Sequence, residues 1–211
     1  MKSNEQIGPK PGTPHPKLGL AQLLAVVALG LSGFLLWGSL AGESLPGCGV
    51  QSGCDTVLHS RWSKWFGIPV SLPALLLYAT VLAASAMLTG GAAPSLRRML
   101  WSFLVASSAA LIGAAAWFIG LQFFVIKAIC PFCMTAHACG LVVGALMLAR
   151  APWGEPDTTR AKAAPPATGI RHGGMLVTAG LMAVAIMALG QVLYQPPTFD
   201  VQALNAEAPR V

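Results

Sequence analysis

The sequence predicts an all-α integral membrane protein with five transmembrane helices, the first four forming a bundle with a cysteine-bearing loop on its outer face. Three observations carry this. Of the 211 residues, 55% are hydrophobic and only 9% charged, whereas soluble domains carry about a quarter charged residues; the mean hydropathy is +0.67. The apolar residues gather in five runs without a charged side chain, each near the ~20 residues that a spanning helix needs. The basic residues alternate between dense and sparse in the segments separating those runs, as membrane topology requires.

The formal net charge of +6 does not indicate nucleic-acid binding. The Lys and Arg residues are scattered between apolar spans, with no helical spacing and no aromatic interleaving, and a positive-inside bias accounts for them. The chain has no internal repeat and no glycine-rich nucleotide-binding motif.

Residues 1–17 are polar and rich in Pro and Gly, with Lys2, Lys10 and Lys17 against one acid, Glu5; they read as a flexible cytoplasmic tail. Leu18 to Leu40 forms the first apolar run, longer than the roughly 7–15 apolar residues of a secretory signal, and is read as a retained helix. Residues 42–67 form the outer loop, with Cys48, Cys54, His59, Arg61 and Lys64. Trp62, Trp65 and Phe66 suit the interfacial zone. Pro69 and Pro73 flank the start of the second run, Val70 to about Leu88, where proline is tolerated in a first helical turn. A Gly/Pro turn with Arg97 and Arg98 precedes the third run, Met99 to Ile126, long enough to cross with tilt. Lys127 to Pro131 is a very short connection into the fourth, which ends near Ala149. Residues 18–150 thus form the four-helix membrane domain. A basic, proline-containing cytoplasmic linker (151–173), a fifth helix (174–194) and a short outer tail (195–211) follow. Gly140 and Gly144 make a small-xxx-small pair, and Gly113 and Gly120 add small surfaces, for close helix packing.

The loops also give orientation. One side carries Lys2, Lys10, Lys17, Arg97, Arg98, Arg150, Arg160, Lys162 and Arg171, nine basic residues; the other carries Arg61, Lys64, Lys127 and Arg210, four. The positive-inside rule makes the N-terminus cytoplasmic. Both cysteine pairs then fall on the outer face.

Five cysteines remain to be explained: Cys48 with Cys54, Cys130 with Cys133, and a lone Cys139. Four thiolates can make a structural zinc site, but the Cys48/Cys54 spacing is loose and the outer face favours disulfides, so no metal is expected. Inert disulfide staples are a second reading. A redox relay is the third. It needs one mobile pair exposed to solvent and one fixed pair near a membrane-soluble acceptor. Cys48 and Cys54 lie among Gly47, Gly49 and Gly53, while Cys130 and Cys133 open a spanning helix, whose N-terminus favours thiolate over thiol. A loop cysteine can reach a disulfide sulfur for exchange. A lipid-soluble quinone would take two electrons and two protons, and a four-helix interior rich in Ala, Gly, Leu and Phe can hold its ring. Cys139 points away from both active cysteines of its helix and reads as a small buried apolar residue. Asp55 reads as a solvated loop charge.

The ordered set Cys48-x5-Cys54-x5-Ser60-Arg61-Trp62, Phe66-Gly67-Ile68-Pro69-Val70-Ser71 and Cys130-x-x-Cys133 at a helix start closely resembles the vitamin K epoxide reductase family over residues 18–150. It looks most like the bacterial members, which couple disulfide formation to quinone reduction. The resemblance implies that Cys133 faces and reacts with the quinone (ubiquinone or menaquinone), that Cys130 exchanges with Cys54, and that Cys48 meets the external dithiol partner. Ser60 matches the family's loop serine, which positions loop or quinone by hydrogen bonding; a local turn or helix cap is the competing reading. The resemblance also implies a bacterial inner membrane location with the active cysteines on the periplasmic face.

Two departures stand out. Bacterial relatives often carry a thioredoxin-like domain after the fifth helix, whereas this sequence stops at Val211; the expected partner is therefore a separate extracytoplasmic thioredoxin-fold dithiol protein. Where the animal enzymes have a tyrosine, His137 stands here, one helical turn beyond Cys133 on nearly the same face. An ionisable residue at membrane depth is a functional candidate, here as a hydrogen-bond partner of a quinone oxygen; a satisfied core histidine is the alternative. Two readings compete with protein oxidation: reduction of a quinone or quinone epoxide with thiols as fuel, and a non-enzymatic scaffold or metal carrier.

Overall fold

The computed structural model describes residues 16–41, 45–49, 52–90, 92–153 and 172–194. Most of the expected N-terminal tail and of the linker, and all of the tail over 195–211, lie outside them, as do Arg160, Lys162, Arg171 and Arg210. Five helices have the length and apolar composition to cross a membrane: α1 (Pro16–Ala41), α3 (Ser71–Thr89), α4 (Pro94–Gly120), α5 (Pro131–Arg150) and α6 (Gly173–Leu193), with a short α2 (Gly53–His59) between the first two. This is a multi-pass membrane protein. The third span opens earlier than the sequence implies: Pro94 sits in the first turn of α4, where its fixed φ suits helix initiation, so Arg97 and Arg98 are helical rather than part of a turn.

Small residues bring the helices together. Ala21, Ala25 and Ala28 of α1, Val81 and Ala84 of α3, Leu104 and Val105 of α4, and Val143 and Met147 of α5 are buried in one core, and Cys139 is buried with them, as a small apolar residue would be. A side chain at Gly144 would meet the Ser108 carbonyl at 2.9 Å, and one at Gly140 would strike the Tyr78 hydroxyl, which donates to the Ala136 carbonyl (3.1 Å). The expected close approach therefore holds at Gly140 and Gly144. Gly120 meets no neighbour. α6 runs along α4, with Gly180 against the Ala106 carbonyl and Gly113 against Leu181.

The segment between α1 and α3 is more structured than a polar loop. Ser52 caps α2 by accepting from the Asp55 N–H (3.3 Å), and Cys54 and Val57, three apart, supply its buried face. Less than two turns long, α2 lacks the periodic run that reveals a helix in a sequence. A 3-10 turn (Arg61–Ser63) leads into a two-stranded hairpin, β1 (Lys64–Trp65) and β2 (Ile68–Pro69), with Trp65 opposite Ile68. Phe66 (φ 50°) and Gly67 (φ 84°) turn it, consecutive positive φ values being the type I′ pattern. At the same end α4 passes into a π-helical segment, Leu121–Ile126, closed by Lys127 in the left-handed region. Such bulges recur at functional sites.

Candidate functional site

The π-helical segment sets the position of Cys130. Gln122 is buried, and its Oε1 accepts the Cys130 N–H (2.8 Å), while its carbonyl accepts from Ala128 (3.2 Å). This holds the short connection against the end of α4 and places Cys130, in extended backbone, as the N-cap of α5. Its Sγ accepts the Cys133 N–H (3.3 Å). The sulfur served directly by the helix terminus is thus that of Cys130, whereas the sequence reading gave the benefit to both residues of the pair. The Cys130 thiol is held well below the ordinary thiol range: hydrogen bonding from the Cys133 side chain lowers it most, burial opposes this, and backbone N–H groups add to the lowering.

Cys48 and Cys54 form a disulfide, with Cα atoms 5.7 Å apart, whereas Cys130 and Cys133 are free thiols. Gly53 brings the pairs together: its Cα packs on the Ile129 carbonyl, where any side chain would collide. As a result Cys48, Cys54 and Cys130 share one apolar cluster with Leu35, Leu45 and Val57, and Cys133 and Phe132 pack against it. This corrects the expectation of a solvent-exposed loop pair. Cys48 is 4% and Cys54 2% exposed, because α2 docks on the connection before α5 instead of hanging free. Asp55, expected as a solvated loop charge, lies partly exposed in the first turn of α2 with its carboxylate 3.2 Å from His59.

Below the cysteines lies a cavity of about 320 Å³, walled by α1, α3, α4, α5 and α6 and roofed by Val57 to Trp65. Cys133 lines it; Cys130 does not. His137 also lines it and lies flat against Phe118, rings 5.5 Å apart and 8° from parallel. Ser60 lines it too, but its hydroxyl donates to the Val57 carbonyl (2.7 Å), which is the local helix-end role. The fifth helix contributes Ala183, Val184 and Met187 to the wall, so the cavity is not enclosed by the first four helices alone. Sequence reasoning missed several polar residues here. Trp65 and Ser71 are among the lining residues, and Trp65 Nε1, which packs against Gly190, and Ser71 Oγ are buried without a hydrogen-bond partner. Gln122 and Gln191 are buried polar residues inside apolar runs, and that oddity was the available signal. Among the described residues, no three His, Cys, Asp or Glu side chains converge to hold a metal ion.

Two cysteine pairs meeting over an apolar cavity, at the start of one spanning helix, make a route by which thiol electrons can enter a membrane. The sequence pattern of the Vitamin K epoxide reductase family matches residues 20–148, from the first span almost to the end of α5 and including all four of these cysteines. The chain belongs to the vitamin K epoxide reductase family of thiol- and quinone-dependent membrane oxidoreductases.

Proposed function

We propose that this protein forms disulfides in a separate extracytoplasmic thioredoxin-fold protein and delivers the electrons to a membrane quinone, ubiquinone or menaquinone. One observation carries the reading: both cysteine pairs share a cluster, and Cys133 is the member that borders the cavity. The cavity suits a quinone headgroup. Its volume falls in the range of small-molecule sites, its lining is mostly apolar, and the hydroxyl of Ser71 in its wall is without a partner and can turn to meet a carbonyl oxygen. When bound, the quinone supplies a two-electron, two-proton acceptor.

The residues then act in sequence. A partner thiolate attacks the Cys48 sulfur and releases Cys54; Cys48 is buried, so the 45–49 turn must lift. The partner's second thiol resolves the mixed disulfide, leaving the partner oxidised and Cys48 and Cys54 reduced. Cys54 attacks Cys130 of the Cys130–Cys133 disulfide and releases Cys133. Cys48 then attacks Cys54, restoring Cys48–Cys54 and leaving Cys130 and Cys133 as thiols, the combination present in this structure. Reforming the Cys130–Cys133 bond sends two electrons and two protons to the quinone through Cys133, with His137 beside it. Net, one partner dithiol becomes a disulfide and one quinone becomes a quinol. Ser60 positions the roof in this scheme. The charge asymmetry of the loops supports placing the cysteine end on the periplasmic side of a bacterial inner membrane.

The test is quinone absorbance after mixing detergent-purified protein with a reduced thioredoxin-fold dithiol protein. Wild type should consume quinone, and Cys133→Ala should reduce the rate by at least about three orders of magnitude, as loss of an essential covalent group does. Quinone loss at equal rates in both would refute the assignment.

A further inference from the structure

The end of α6 grips the roof of the cavity. Gln191 is buried in an otherwise apolar helix, and both ends of its amide are engaged: Oε1 accepts the Trp117 indole N–H of α4 (2.8 Å), and Nε2 donates to the Trp62 carbonyl of the roof (3.0 Å). The neighbouring Arg61 donates to the carbonyls of Gln191 (3.1 Å) and Val192 (3.3 Å). Those carbonyls belong to the last turn of α6, which has no partners of its own and carries partial negative charge. The Arg61 guanidinium also sits 4.6 Å over the Trp62 ring, and Trp62 meets Trp117 edge to face at 6.2 Å. At Gly190 the absence of a side chain leaves room for Trp65, whose Nε1 would lie 2.6 Å from an added Cβ. Phe66 packs on Tyr194 at 5.1 Å. Arg61, Trp62, Trp65 and Phe66, of which Trp62 and Trp65 line the cavity, are thus tied to the end of a helix that lies beyond the family match, which ends at residue 148.

We propose that α6 is a working part of this enzyme: Gln191, through Trp62 and Trp117, is a positioning residue that holds the roof closed over the quinone and sets its affinity. The inference rests on the quinone reading of the cavity. It gives the fifth helix a role that neither anchoring nor orienting a partner supplies. A glutamine amide in hydrocarbon is costly to leave unpaired, so the Gln191 pairings give the roof a preferred closed position. The chemistry at the cysteines does not pass through it.

The test uses the full chain and two variants, Gln191→Leu and Arg61→Gln; the second alters an exposed side chain and keeps folding out of question. Quinone affinity is read by quenching of tryptophan fluorescence with a short-chain ubiquinone and a short-chain menaquinone. Exchange of the Cys48–Cys54 disulfide with a reduced dithiol protein is read without quinone. Gln191→Leu should weaken quinone binding and raise KM about tenfold and Arg61→Gln about threefold, with kcat within twofold and disulfide exchange unchanged. Wild-type affinity in both variants overturns the proposal, and so does a fall in kcat or in disulfide exchange with affinity unchanged. If Gln191→Leu does not fold, Arg61→Gln decides alone. A wild-type protein that neither binds nor consumes quinone would instead remove the quinone reading itself, and this inference with it.

Discussion

Cys130 is the residue on which the geometry converges. Its N–H is held by a buried amide, its sulfur accepts from the α5 terminus, and its surroundings are apolar, with no exposed surface. Hydrogen bonds from Cys133 outweigh burial and hold its thiol below the ordinary range. A thiol ordinarily titrates near ~8.5, so a lowered native value stabilises the reduced protein above that pH, and the contribution fades as the pH falls through the lowered value. The reduced protein should show a thiolate ultraviolet absorbance step below the ordinary thiol range, absent in Cys130→Ser and in the oxidised protein. A step that survives Cys130→Ser would place the low-titrating thiol elsewhere. The Cys-x-x-Cys motif at a helix start was legible in the sequence, and so was the helix effect. Which of the two sulfurs is the cap depends on the extended backbone at Cys130 and on Gln122, eight residues earlier, and no local pattern announces that pairing.

At the scale of elements, α2 decides whether the relay can run. Its first residue, Gly53, lies flush against Ile129, and this contact sets Cys54 and Cys130 in one cluster. A branched side chain there must push α2 off the connection. Gly53→Val should slow transfer from the loop pair to Cys130–Cys133 by about tenfold or more, with quinone affinity unchanged. The measurement is the rate at which a dithiol partner reduces Cys130–Cys133 in the absence of quinone, followed by thiol alkylation and mass shift. An unchanged rate would show that the pairs do not depend on this docking. The glycines around Cys48 and Cys54 were visible as a composition and read as flexibility. One of them, Gly53, serves close packing instead. The π-helical segment was equally hidden, since Leu121 to Ile126, apolar but for Gln122, does not differ in composition from an ordinary helix end. Lys127 ends it at positive φ, at a cost of about 1–2 kcal/mol.

The whole molecule is a membrane bundle with both its chemistry and its cavity at one end. Proposed orientation follows from nine basic residues on one side against four on the other. In intact cells, Lys64→Cys should react with a membrane-impermeant maleimide and Arg98→Cys should not; the reverse pattern would invert the topology. The sequence by itself determined the five spans, the two cysteine pairs and the family, because uncharged runs, loop charge and ordered short motifs are local properties written along the chain. The tertiary structure decided what depends on distant residues meeting. It buried the loop disulfide, gave the cap to Cys130 and the cavity to Cys133, left Trp65 and Ser71 as donors without partners, and put α6 into the cavity wall. Those outcomes come from packing between elements up to 131 residues apart, as where Arg61 meets the end of α6, and burial there is set by partners that periodicity and spacing do not specify.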